Sequence, residues 1–503
     1  MIDFSQIERY RENNCLEVKA AQGGLPRSIW ETYAAFANSL GGVILLGVGE
    51  REDHSLVLLG LENPERLIKE FWDTINNPAK VNINLLSDSD VYILEQNGKR
   101  IIVILVPRAD RSYRPVYIGG NPVSGTFRRD GEGDYRCTKE EYQALVRDAA
   151  PQTQDMKILE DMDLAVINHE SLRSYRQRMR LSRPGHVWES LADEDFLLRI
   201  GAGAIGKDGK RHPTAAGLLM FGNEYDIVRE FNHYFLDYRE QYDTSTRWTD
   251  RIISSSGDWS GNVYDFYFRV YHKLVQDIKV PFALEGTHRV EDTSIHQGVR
   301  EALANCIVHA DYYGRQGLVV LKTQNRICFS NPGSFRIEIL AAKIGGISDP
   351  RNATLLKMFN LIDIGERAGS GIPNLCALWE KQGWGNPTIE ESFEPDRVTV
   401  TLQLQLTGND NTEGSSDKSV KSSDNAEGSS DKHYGYQSPS SEQKNMILNY
   451  LAKNKSAKTS DISALLGVKD ARARRLLAQL VNEKLVLAEG GNRNRRYRLS
   501  VEG

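Results

Sequence analysis

The stretch from 407 to 441, TGNDNTEGSSDKSVKSSDNAEGSSDKHYGYQSPSS, decides how this chain can be divided. It is polar, nearly free of aliphatic side chains, and repeats EGSSDK at 413 and 427. Such a segment cannot bury enough apolar area to offset the entropy lost on ordering, so it is expected to be a disordered linker. A large body, 1–406, and a small module, 442–503, must then hold separate cores. With 503 residues, 40% of them apolar, the chain is long enough for several cores, and alternating helix and strand signals in the body make the expected class α/β multidomain.

Charge and cysteines narrow the classes further. A formal net charge of −5 excludes a globally basic nucleic-acid coat, so any such partner must be held by a local patch. The five cysteines, Cys15, Cys137, Cys306, Cys328 and Cys376, form no CxxC pair. They are expected to be reduced, mostly buried thiols in a cytoplasmic protein, not a disulfide frame or a zinc site. The start, MIDFSQIERYREN, has no basic stretch followed by an apolar run, and no segment reaches the roughly 18 apolar residues of a membrane span. A soluble chain without a membrane partner is expected.

The body divides into 1–148, 149–285 and 286–406. In the first, SIWETYAAFANSL (28–40) places Ile29, Tyr33, Phe36 and Leu40 at helical spacing, and VILLGVG (43–49) is an apolar run typical of a buried strand. DVYILEQ, RIIVILVPRA and GTFRRD predict further strands, and TKEEYQALVRDAA opens with a Thr138/Glu141 capping box. In the connector, 149–285, PTAAGLLMFG (213–222) is compatible with plain core, and no catalytic constellation stands out.

REALANCIVHADYYG (300–314) carries chemistry. Glu301, Asn305 and His309 are spaced by four and project from one helical face, opposite Leu303 and Ile307. Nucleotide hydrolysis has a use for such a face: a carboxylate orients water and an amide oxygen helps hold magnesium among phosphate oxygens. An amphipathic helix with a polar side explains the same spacing. Downstream, RICFSNPGSF (326–335) predicts a strand broken by an Asn-Pro-Gly turn. GERAGSGIPNL (365–375) is a loop with Gly365, Gly369 and Gly371 leading into a helix, where backbone N–H groups can approach phosphates.

In this order the three segments resemble the ATP-binding fold of the GHKL family, which includes gyrase, Hsp90, histidine kinases and MutL. The resemblance implies a GHKL-like α/β sandwich over 286–406. It makes Glu301 the water-activating residue, Asn305 the magnesium ligand, Asn331 and Gly333 the adenine-side turn, and Gly369 to Gly371 the phosphate lid. Where the family carries an aspartate that reads the adenine amino group, this chain has Asn331, whose amide oxygen can accept the same hydrogen bond.

ENNCLEVK (12–19) places Glu12 and Glu17 five apart with Lys19 just after, and ILLGVGE ends in Glu50. With Leu16 and Val18 facing a core from a strand, Glu17 projects to the other surface. Carboxylates converging from strand ends can hold divalent ions that activate water against a phosphodiester, although glutamates at strand edges are usually only solvated. E-x4-E-x-K followed by AFANSLGGVILLGVGE, and then SYRPVYIGGNPVSGTFRRDGEG (112–133), resembles the Schlafen AlbA-type domain across nearly all of 1–148. In Schlafen nucleases three carboxylates cleave RNA, notably tRNA, with a metal. By motif they would be Glu12, Glu17 and Glu50, the last standing after Gly49 where relatives often carry aspartate. Many bacterial relatives with this domain are regarded as DNA-binding regulators. Arg108, Arg111, Arg114, Arg128 and Arg129 are either a positive patch for a phosphate backbone or ordinary surface arginines.

The module 442–503 reads as three helices and a hairpin: EQKNMILNYLAKN, SDISALLG, DARARRLLAQLVNEKLV and VLAEGGNRNRRYRL. This resembles a winged helix-turn-helix with Ala464, Leu465, Leu466, Val468, Leu476, Leu477 and Leu480 in its core. Arg472, Arg474 and Arg475 would lie on the recognition helix and Arg493, Arg495, Arg496 and Arg498 on the wing, suited to DNA or RNA. A protein-docking winged helix is the alternative.

The order Schlafen-like domain, connector, GHKL-like domain resembles a bacterial family of ATP-binding transcriptional regulators. Two functions fit it. One is a nucleotide-gated, Schlafen-like, metal-dependent nuclease acting in phage defence. The other is an ATP-responsive DNA-binding regulator without nuclease activity. They part at Glu12, Glu17 and Glu50, because carboxylates near phosphates are costly without a metal. The implied cofactors are ATP and Mg2+, with Mn2+ as a substitute, and the implied partners are DNA or RNA, tRNA included. GHKL-type domains commonly dimerise when nucleotide closes the lid, which implies an ATP-dependent homo-oligomer.

Overall fold

Leu16 and Val18 alternate with Glu17 and Lys19, and this period-two pattern forms the first strand, β1 (Leu16–Lys19). The structure, a computed structural model, describes residues 4–242, 247–276, 278, 284–285, 288–289, 293–365, 369–393 and 395–404. Towards the carboxy terminus it describes 447, 450–451, 454, 456–466, 473, 477, 480–481, 486–489 and 496–499. They fall into two units, Met1–Asp410 and Asn411–Gly503. The expected linker, 407–441, lies outside the described residues.

After β1 come α1 (Ile29–Asn38), β2 (Gly42–Leu46), β3 (Val48–Glu50), β4 (Leu56–Leu58), α2 (Pro64–Ile75), β5 (Val91–Gln96) and β6 (Lys99–Val106). They form a four-stranded sheet in the order β1-β2-β6-β5, with β1 parallel to β2 and the other pairs antiparallel. Ile44, Ile102 and Ile104 share a core with Tyr33 and Phe36 of α1 and Phe71 of α2, whereas Leu16, Val18, Leu45 and Val103 build a second cluster with Leu56 and Leu58. The strand expected over 43–49 is two strands. Gly47, at φ 88°, breaks it, and the chain restarts as β3, which carries Glu50. A short helix, α3 (Pro122–Gly125), and the hairpin β7 (Phe127–Asp130) and β8 (Gly133–Arg136) lead into α4 (Lys139–Ala149). The capping box forms: Glu141 N donates to Thr138 Oγ1 at 3.3 Å, and Thr138 N to Glu141 Oε2 at 2.6 Å.

The rest of this unit contains α5 (His169–Ser182), α6 (Asp193–Ile200), β9 (Gly203–Ile205), β10 (Arg211–Pro213), α7 (Ala215–Phe221), α8 (Glu224–Glu230), β11 (Leu236–Gln241), β12 (Asp250–Ile253) and α9 (Val263–Val275). They are followed by β13 (Leu284–Glu285), β14 (His288–Arg289), α10 (Ser294–Val308), β15 (Leu318–Thr323), β16 (Arg326–Pro332), α11 (Ile339–Ile344), α12 (Ala353–Asn360), α13 (Gly371–Gln382), β17 (Thr388–Phe393) and β18 (Asp396–Gln403). Six of these strands make one mixed sheet, β12-β11-β15-β16-β18-β17. All of α7 is buried, which explains the unbroken apolar run of PTAAGLLMFG as core. The connector and the following segment are one body: β11 runs parallel to β15 from Leu236 opposite Leu318 to Gln241 opposite Thr323, and one apolar core extends from Leu159 to Leu402.

In the second unit the helix Thr459–Leu466 and an antiparallel pair, β19 (Val486–Glu489) and β20 (Arg496–Leu499), share a core with Ile447, Leu451, Leu477 and Leu480. Leu465 and Leu466 pack against it. Val468 and Leu476, and the side chain of Ala464, lie outside the described residues, as do Arg472, Arg474, Arg475, Arg493 and Arg495. Arg496 and Arg498 are exposed on β20. The molecule is a multidomain α/β protein with several mixed sheets. No helix among the described residues is long and apolar enough to cross a membrane, and all five cysteines are free thiols.

Candidate functional site: a cleft beside α10 and an acidic group on β1

The helix α10 packs on the six-stranded sheet because Ile295, Val299, Leu303, Ile307 and their neighbours bury one side. That fixes the opposite side. Glu301 and Asn305 stand one turn apart, and Asn305 Nδ2 donates to Glu301 Oε1 at 3.2 Å. His309 caps the helix one turn further on. The start of α13 closes over them: a Cβ on Gly371 would come within 2.5 Å of Glu301 Oε1 and 2.8 Å of Asn305 Nδ2, so a side chain here would push both polar groups out of place. Gly369, at φ 67°, accepts from Gly346 N at 3.2 Å, which ties the loop before α13 to the segment after α11.

These elements enclose a cleft of about 980 Å³ that opens to solvent, with Glu301, Asn305, His309, Asn331, Gly369 and Gly371 on its walls. Six of the residues singled out in the sequence thus meet. Two do not lie on this wall. Gly365 lines a neighbouring cleft that shares Glu301 and Gly371. Gly333 sits behind, at φ 94°, with its N donating to Asp396 O at 3.1 Å and its Cα face against the Arg351 guanidinium. Asn331 is the penultimate residue of β16, not part of a turn, and is paired in register with Val398.

Nothing local in the sequence marks the charges at this end of the cleft. Arg336, Asp349 and Arg351 line it, and each has a partner in the amino-terminal domain. Burial, then the Arg351 and Arg336 charges, push the His309 imidazole down to about 4, so the ring is neutral near pH 7.

In the amino-terminal domain, Glu17 and Glu50 both lie close enough to Glu12 for their charges to act on it. Burial raises the Glu12 carboxyl above its ordinary value, the charges of Glu17 and Glu50 add to this, and the Val18 N–H and Arg129 oppose it. Each acid already has a protein partner. Glu12 Oε1 accepts from Val18 N at 2.8 Å, and Glu50 Oε1 meets His54 Nδ1 at 2.6 Å. Glu17 pairs with Lys19 at 2.7 Å and with Arg129 at 2.8 Å. Among the described residues, no three His, Cys, Asp or Glu side chains are arranged to hold a metal ion.

The arginine patch is corrected. Arg129, 2% exposed, is spent on Glu17 and Asp134. Arg128 donates to Asp396 at 2.6 Å, Arg108 grips Glu391 at 2.6 and 2.9 Å, and Arg111 pairs with Asp349. Arg114, 3% exposed, has no protein acceptor for Nε or Nη1. Three of these guanidinium groups, Arg108, Arg111 and Arg128, tie the amino-terminal domain to carboxylates of the segment from 349 to 396 instead of facing a phosphate backbone.

Residues 12–138 match the family described as "Schlafen, AlbA_2", residues 143–237 a domain of unknown function, DUF8451, and residues 319–402 the family described as "Putative ATP-dependent DNA helicase recG C-terminal". Among solved structures, the DIP2311 protein from Corynebacterium diphtheriae is 17% identical, with 96% of this chain and 94% of that one covered and a TM-score of 0.39. The N-terminal domain of a "Putative ATP-dependent DNA Helicase RecG-related Protein" from Nitrosomonas europaea is 25% identical over 27% of this chain and 91% of that one, with a TM-score of 0.21. No curated protein matches the chain. From its amino terminus onward, the chain carries a Schlafen AlbA_2 domain, a DUF8451 domain and a RecG C-terminal-like domain.

Proposed function

We propose that this protein binds ATP with Mg2+, or Mn2+ in its place, in the cleft beside α10, and that nucleotide controls its binding to nucleic acid. The carrying observation is the meeting of Glu301, Asn305 and the Gly371 backbone in one cleft with Asn331. Asn305 gives an amide hydrogen to Glu301, which leaves its oxygen for a cation. The N-terminal N–H groups of α13 would meet phosphate oxygens, and Glu301 would orient water. The Asn331 amide oxygen would accept from the adenine amino group. We assign 286–406 a GHKL-like sandwich, and 442–503 a winged helix that places Arg496 and its neighbours on DNA or RNA. Resemblance to the Schlafen AlbA_2 and RecG C-terminal families supports a nucleic-acid partner.

A second role, metal-dependent cleavage by Glu12, Glu17 and Glu50, is favoured by the nearness of Glu17 and Glu50 to Glu12. It would need them to leave the partners they hold. Binding without cutting is therefore our first choice, with ATP-dependent self-association as part of the proposal. Calorimetry with Mg-ATP tests it: Asn305→Ala is expected to weaken binding at least several-fold, and unchanged affinity would remove Asn305 from the site. Sedimentation of the same samples should show a larger mass with ATP than without.

A further inference from the structure

The wall of the cleft around Arg351 is held from outside the cleft. Asp148, in the last turn of α4, accepts from Arg351 twice, Nε to Oδ1 at 2.9 Å and Nη2 to Oδ2 at 2.7 Å. Arg351 is 7% exposed, and its other donations go to His309 O at 2.5 Å and Ser334 O at 2.9 Å. The Asp148 carbonyl accepts from Arg336 Nη2 at 3.4 Å. So the side chain and the backbone of one amino-terminal residue reach His309, Ser334 and Arg336 on the cleft wall, directly or through one guanidinium.

Two further clamps act on the same segment. Phe335 N donates to Glu391 Oε1 at 2.8 Å, and Glu391 is gripped by Arg108 through both its oxygens. Gly333 N donates to the carbonyl of Asp396, whose carboxylate takes Arg128. Burial alone would raise the Asp148 carboxyl, but the Arg351 charge and hydrogen bonds, with Arg336 and Arg114 behind them, hold it below its ordinary value. It is therefore ionised near pH 7 and can keep the two-pronged geometry that a planar guanidinium fork favours.

We propose that Asp148 is a positioning residue for the cleft, fixing His309 and Ser334 of the wall through Arg351 and Arg336 through its own carbonyl, so that docking of the amino-terminal domain and binding of nucleotide favour each other. The coupling rests on the nucleotide assignment above; the positioning of the wall does not. The reasons are two. Without the carboxylate, the buried Arg351 guanidinium loses the two-pronged partner that orients it and keeps the His309 and Ser334 carbonyls of the wall as acceptors, so the wall shifts with it. Any effect of docking on nucleotide affinity must appear, equal in size, as an effect of nucleotide on docking.

Hydrogen exchange on the full chain tests this with wild type, Asp148→Asn and Asp148→Glu, each with and without Mg-ATP. In the wild type, ATP should slow exchange over 301–309 and also over 139–149. In Asp148→Asn, protection of 301–309 should need several-fold more ATP and protection of 139–149 should vanish, while Asp148→Glu, which keeps the charge, should recover part of both. Protection of 301–309 without any over 139–149 in the wild type, or equal ATP affinity in Asp148→Asn, would overturn the coupling. If millimolar ATP protects nothing in the wild type, the nucleotide assignment fails, and the ATP-free samples decide the positioning role. Faster exchange over 331–336 in Asp148→Asn than in wild type upholds that role, and identical exchange there overturns it.

Discussion

His309 shows how far a residue's neighbours reset its chemistry. Its spacing from Asn305 suggested a cleft residue, and it lines the cleft, but desolvation and two guanidinium charges lower its proton affinity to about 4. In an unfolded chain the same ring titrates near ~6.5. Between these values the unfolded state binds a proton that the folded state refuses, so stability is full above the upper value and falls as pH drops through the window. Replacing His309 by Gln removes that contribution. The loss of thermal midpoint from pH 7 to pH 5 should then be smaller in His309→Gln than in the wild type, and equal losses would mean that the ring is charged in the fold. Glu301, Asn305 and Gly371 were legible because helical spacing and a glycine-rich helix start are local signals. Asp148, Arg336 and Arg351 were not: Arg351 and Asp148 are 203 positions apart, and nothing local marks either as half of a pair.

At the level of elements, patterns that bury one face are legible in the sequence and long-range strand pairing is not. The helix over 28–40, the strands DVYILEQ and RIIVILVPRA and the Thr138 capping box all follow from periodicity and capping chemistry, and each is present. The strand over 43–49 was misjudged because apolarity does not report that Gly47 takes a left-handed backbone. Dividing the body at 285 cuts between β11 and β15, which pair along six positions of a parallel ladder. Parallel strands are bonded across long crossovers, so their pairing leaves no short-range mark in the sequence. Removing β11 and β12 would bare an edge of β15 and open a core shared with α7 and α9. A fragment of 286–406 is accordingly expected to be unfolded or aggregated, whereas 150–406 should fold; well-dispersed amide NMR signals from the short fragment would contradict this.

Across the whole molecule, the use of charge separates binding from cutting. A metal-dependent nuclease needs carboxylates free to take a cation, and cations or arginines free to take phosphates. Here Glu17 is spent on Lys19 and Arg129, Glu50 on His54, and Arg108, Arg111 and Arg128 on carboxylates across the domain seam. Breaking one side of a buried pair costs about 3–5 kcal/mol, so Glu17 would not be released cheaply from Arg129, whereas the Glu50–His54 pair is exposed and is weaker. Labelled tRNA, single-stranded DNA and duplex DNA are therefore expected to stay intact with Mg2+ or Mn2+, with or without ATP, while at least one of them is bound. Glu17→Ala is an unsafe control, because it removes one of the two carboxylates that hold the buried Arg129 and can destabilise the domain. Glu50→Gln leaves that pair alone. Cutting by the wild type that Glu50→Gln abolishes, with nucleic-acid binding unchanged, would establish the acids as a nuclease centre and require Glu17 to exchange Arg129 for a metal ion when substrate arrives.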